Sequence, residues 1–86
     1  MNYDINILIV EDLLTTRLFL RRTLKKLGYT NVVLSEDGEA ALKELERKGY
    51  DLIISDWHMP IMDGLDFYKE LSKNRKWSEI PFLLIT

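Results

Sequence analysis

The sequence predicts an α/β fold, a three-layer, doubly wound parallel sheet with helices on both faces. Three observations carry that prediction. The hydrophobic period switches back and forth between strand-like and helix-like along the chain. The strand-like runs are apolar at successive residues and rich in β-branched side chains, the habit of strands covered on both faces. The resulting order is β-α-β-α-β-α-β, and strands linked through helices lie parallel, joined by right-handed crossovers.

Each element has its own justification. Ile5 to Val10 is nearly all apolar and forms the first buried strand. From Leu13 to Leu27 the period changes to that of an amphipathic helix. Leu13, Leu20, Leu24 and Leu27 fall near one face, while Arg17, Arg21 and Lys25 step by four along a solvated one. Gly28 supplies the C-terminal stop. Asn31 to Leu34 is a short second strand, and Asp37 caps the next helix, whose apolar face is Ala40, Ala41, Leu42 and Leu45. Glu44 and Lys48 stand four apart in the favourable order, and Gly49 ends the helix. Leu52 to Ser55 is the third strand. Asp56 to Asp63 is a loop containing Pro60, and Asp63 caps a third helix with Leu65, Tyr68 and Leu71 facing inward. Pro81 opens a fourth apolar strand, Phe82 to Thr86.

Composition narrows the function classes. A chain of 86 residues accommodates one domain, and it buries only about two-thirds of its unfolded surface. With 47% apolar and 30% charged residues, it has the balance of a globular protein. It contains no cysteine, so neither a disulfide framework nor a thiolate metal site is available. The formal net charge of −2 gives no electrostatic footprint for nucleic acid. No apolar run approaches the ~20 residues that span a bilayer. Met1-Asn2-Tyr3-Asp4 lacks the positive and apolar regions of a signal peptide. The expected location is the cytoplasm, with neither membrane nor nucleic acid as a partner.

In an open α/β sheet, ligands bind beyond the carboxyl ends of the strands. Glu11 and Asp12 follow the first strand, Asp56 follows the third, and the fourth ends at Thr86. The second ends in Ser35 and Glu36, further to the side. Three crowded carboxylates repel one another and stay ionised when a cation neutralises them. Hard oxygen donors without cysteine or clustered histidine select Mg²⁺ or a similar ion, which also binds phosphate oxygens. A carboxylate beside such an ion is a nucleophile towards phosphorus, and the Thr86 hydroxyl is a donor to a phosphoryl oxygen.

Ile7-Leu8-Ile9-Val10-Glu11-Asp12, followed by Asp56-Trp57-His58-Met59-Pro60-Ile61-Met62-Asp63-Gly64, resembles the response-regulator receiver family, in particular the CheY-like, flavodoxin-like single-domain regulators of chemotaxis. The resemblance runs from about Ile5 to Thr86. It implies that Asp56 becomes the aspartyl phosphate. It also implies that Glu11, Asp12 and Asp56, with the backbone carbonyl of His58, hold Mg²⁺, and that Thr86 is the switch hydroxyl. Met59-Pro60 and Asp63-Gly64 would shape the loop. A histidine kinase or phosphotransfer protein is the implied donor, and slow self-dephosphorylation the implied reset.

In the family a further helix, strand and helix come after the fourth strand. Residues 1–86 are therefore expected to form a receiver domain with its C-terminal third missing, without matched positions for the family's phosphoryl-pairing lysine and aromatic switch residue. The fourth strand is then expected to lie at a sheet edge and to pair with a second copy in a symmetric dimer. Two other readings compete. One is a receiver-derived interaction fragment, self-associating or completed by a partner, that has lost normal switching. The other is an Asp-nucleophile phosphatase of the haloacid dehalogenase type, which wants Asp-x-Asp after its first strand. Here Asp56 follows the third strand and His58 stands where the second Asp is needed. His58 as a relay, and Arg17, Arg21, Arg22, Lys25 and Lys26 as a docking stripe, are weaker readings than an exposed loop and a solvated helix face.

Overall fold

A computed structural model describes residues 2–59 and 62–85. The elements are β1 (Ile7–Val10), α1 (Leu14–Lys26), β2 (Val32–Ser35), α2 (Gly38–Arg47), β3 (Leu52–Asp56), α3 (Gly64–Ser72) and β4 (Phe82–Ile85). The strands form one parallel sheet in the order β2-β1-β3-β4. The fold is thus the doubly wound sheet that the sequence predicts.

β1 is buried along its whole length because both faces of the sheet are covered there. Its side chains alternate between two cores. Leu8 and Val10 join Ile53, Ala41, Leu45, Phe67 and Leu71 on the α2–α3 face. Ile7 and Ile9 join Ile54 on the opposite face, under Leu20 and Leu24 of α1. The register then fixes where the chemistry sits. Val10 lies opposite both Ser35 and Ser55, so the next residue, Glu11, comes level with Asp56.

Both aspartate caps form. Asp37 accepts from the Ala40 N–H at 2.7 Å and Asp63 from the Asp66 N–H at 2.8 Å. Gly28 has φ 106°, a left-handed conformation that suits glycine, and there the chain leaves α1.

Three packing expectations need correction. Leu13 and Leu27 are 58% and 60% exposed, because they cap α1 at its two ends instead of lying on its buried face. In α3 the inward residues are Gly64, Phe67 and Leu71, at helical spacing, while Leu65 and Tyr68 point outward. The Tyr68 ring meets Phe82 edge-on from the rim. Finally, Glu44 pairs with Arg47 at 2.6 Å and not with Lys48. Lys48 has left the helix, with φ −155° and ψ 169°, and its ammonium lies over the Tyr50 ring. Glu44 also accepts from the Tyr50 hydroxyl, and the Arg47 and Tyr50 hydrogen bonds hold its carboxyl below the usual range.

Within the described residues β4 stands at a sheet edge, with Leu83 exposed. No described helix is long and apolar enough to cross a membrane.

Candidate acidic site at the carboxyl end of the sheet

Glu11, Asp12 and Asp56 converge. One carboxylate oxygen from each lies within 4.8 Å of the others. Glu11 is almost fully buried, whereas Asp12 and Asp56 are half-buried at the mouth. The topology produces this cluster, since β1 and β3 are adjacent parallel strands that end at the same level.

Glu11 is held from several sides. Its N–H donates to the Ser35 carbonyl at 3.0 Å, tying the end of β1 to β2. Its Oε1 accepts from the Leu13 N–H at 3.1 Å. Arg17 reaches back from α1, and its Nη1 donates to the carbonyls of Glu11 at 2.7 Å and Asp12 at 3.2 Å. Burial is the main cause that pushes the Glu11 carboxyl up to about 7. The Leu13 N–H opposes this, while the charge of Asp56 and a hydrogen bond with Asp12 add to it. A proton or a cation relieves the same crowding.

The β3–α3 loop is shaped differently. Trp57 donates its N–H to the Ile85 carbonyl at 2.7 Å, and Gly64 donates to the Trp57 carbonyl at 2.9 Å. A Cβ at Gly64 would overlap the Asp56 carbonyl oxygen and the side chain of Leu84. Glycine therefore lets α3 begin against the backbone of Asp56 and Trp57. Met59 is buried and anchors the loop, with Trp57 and His58 exposed. Pro60, Ile61 and Thr86, which the sequence assigns to the loop and the switch hydroxyl, lie outside the described residues.

Three oxygen donors at this spacing, with neither thiolate nor imidazole among them, fit a hard divalent cation such as Mg²⁺. Sequence reasoning missed Arg17, which belongs to this site and not to the solvated stripe. A step of four hides it among the other basic residues, and the observed start of α1 at Leu14 puts Arg17 in the first turn, from which a helical side chain leans back towards the N-terminus. Arg21, Arg22 and Lys25 instead line a groove of about 770 Å³ with Tyr29 and Val32, further along α1.

Residues 7–86 match the family described as the response regulator receiver domain. The chain is 35% identical to the chemotaxis protein CheY-3 of Vibrio cholerae over 86 residues, which is 100% of this chain and 66% of that protein. It thus spans slightly under two-thirds of that relative's length. Among solved structures, CheY4 of Vibrio cholerae superposes with a TM-score of 0.87 at 32% identity, covering 94% of this chain and 67% of that one. The receiver domain of a sensor histidine kinase from Pseudomonas aeruginosa has a magnesium ion coordinated in its active-site cleft. It superposes with a TM-score of 0.88 at 31% identity, covering 96% of this chain and 67% of that one.

Proposed function

Because this chain belongs to the response regulator receiver domain family, we propose that it is the phospho-acceptor module of a two-component phosphorelay, with Asp56 as the acceptor. The observation that carries the reading is the convergence of Glu11, Asp12 and Asp56 at the ends of two adjacent strands.

In the proposed step an Asp56 carboxylate oxygen attacks the phosphorus of a phosphohistidine. A P–O bond forms, the P–N bond breaks, and its electron pair stays on the donor imidazole. Glu11, Asp12 and Asp56, with the His58 backbone carbonyl, would hold Mg²⁺, which supplies neutralising charge to the phosphoryl oxygens when bound. Half-burial leaves Asp56 open to an incoming donor while Glu11 stays fixed behind it. Thr86 is assigned the switch hydroxyl. Slow hydrolysis of the aspartyl phosphate returns Asp56, and the module turns over no other substrate. The donor is a histidine kinase or phosphotransfer protein, and the setting is the cytoplasm.

The test is transfer from an autophosphorylated histidine kinase in the presence of Mg²⁺. Label is expected to leave the kinase and appear on the wild-type chain, with none on Asp56→Asn. Label that maps to Ser35 or His58 would overturn the assignment.

A second reading, self-association through β4, is favoured by the exposure of Leu83 on that edge. It predicts a melting temperature that rises with protein concentration and stops doing so in Leu83→Lys. Concentration-independent melting of the wild type would rule it out.

A further inference from the structure

α1 begins without the device that starts the other two helices. Asp37 and Asp63 cap α2 and α3 through side-chain oxygens, but Leu13 at the head of α1 has none, and no acidic residue stands in the first turn. The turn that carries Glu11 and Asp12 is instead held by Arg17. Its side chain runs back along the helix, as helical side chains do, and one nitrogen bridges two successive carbonyls at 2.7 and 3.2 Å. The donor is charged and the first bond is short, so this contact is stronger than a neutral one.

What Arg17 leaves alone is equally informative. Among the described residues it makes no ion pair with Glu11, Asp12 or Asp56. A guanidinium on those carboxylates would occupy the oxygens that a cation needs. Bound to the carbonyls, it stiffens the turn without taking up a carboxylate oxygen of the three acids. We propose that Arg17 is a positioning residue of the acidic site, fixing the Glu11–Asp12 turn so that both carboxylates face the cation position. The proposal rests on the reading of the cluster as a cation site. Lysine is a poor substitute, because its ammonium is a point charge on a flexible stem and lacks the planar donor geometry of a guanidinium.

The experiment titrates Mg²⁺ against wild type, Arg17→Met, Arg17→Lys and Asp12→Asn, reading the fluorescence of Trp57, which adjoins Asp56. Urea unfolding without Mg²⁺ is measured on the same four chains. Loss of a partner that orients metal ligands typically weakens binding by about tenfold or more, and that is the expected result for Arg17→Met. Arg17→Lys should recover only part of the loss. A purely structural role would lower urea stability and leave Mg²⁺ affinity intact. Affinities of Arg17→Met and Arg17→Lys within about twofold of wild type, with binding lost in Asp12→Asn, would overturn the role of Arg17 alone. Equal responses from wild type and Asp12→Asn would overturn the cation reading, and this inference with it.

Discussion

The two turns that build the acidic site are made by opposite means. The β1–α1 turn is fastened by bonds. Ser35, the Leu13 N–H and Arg17 together engage the backbone and side chain of Glu11. The β3–α3 loop is shaped by a missing side chain, since Gly64 lets α3 press against the Asp56 carbonyl. One turn depends on several bonds acting together, whereas the other has no room for a single added carbon. The difference suits their proposed tasks. The first holds ligands still, and the second presents an acceptor at the mouth beside the exposed Trp57 and His58.

The largest effect is expected from filling the space at Gly64. Gly64→Val should destabilise the fold by about 1–3 kcal/mol, the usual range for overpacking, because the backbone atoms it meets cannot rotate away. Urea unfolding measures the loss, and a slower phosphorylation rate would show that Asp56 has been displaced. Unchanged stability and rate would mean that α3 does not crowd the acceptor.

Asp63→Ala should cost about 1 kcal/mol, the typical value of an N-cap. Its effect should stay within α3, leaving Mg²⁺ affinity near that of wild type. A large loss of affinity would show that the cap and the site are coupled, and would blur the contrast between the two turns.

The subtlest effects are pH slopes. Glu11 titrates about 7 in the folded chain, above its ordinary value, so without metal the fold binds its proton more tightly than the unfolded chain does. That stabilisation is complete below the unfolded glutamate range and is lost as pH rises through about 7. Glu44 has the opposite sign. Its lowered value gives stability that is present above the unfolded range and lost as pH falls through the folded one. Mg²⁺ competes with the Glu11 proton, so affinity should weaken as pH drops from 8 to 6. Glu11→Gln should flatten that slope, and a slope unaltered by the substitution would assign it to another group.

Much of this was legible in the sequence. Alternating periods specify the strands and helices, and the rule that parallel strands present their carboxyl ends on one side collects Glu11, Asp12 and Asp56. The loop-shaping role of Asp63-Gly64 is what the family resemblance implies, since a helix start after a loop does not by itself demand close approach. Side-chain trajectories were not legible in the same way. A step of four puts Arg17 on the same stripe as Arg21 and Lys25, and only the start of α1 at Leu14 shows that it can reach the turn behind it. The α3 face was misjudged because Phe67 and Tyr68 are adjacent aromatics, and a shift of one residue exchanges which of them is buried. Periodicity sets the face to within one position, and the core of Leu8, Val10 and Ile53 takes Phe67 and leaves Tyr68 at the rim.

The central claim is that Asp56 is the phospho-acceptor of a cation-assisted site. It is tested most directly by the intact mass of the chain after incubation with acetyl phosphate and Mg²⁺. The account predicts one added phosphoryl group on the wild type, removable by hydroxylamine as an acyl phosphate is, and none on Asp56→Asn or when Mg²⁺ is withheld. Equal labelling of Asp56→Asn, or a wild type that stays unlabelled while folded and Mg²⁺-bound, would contradict it.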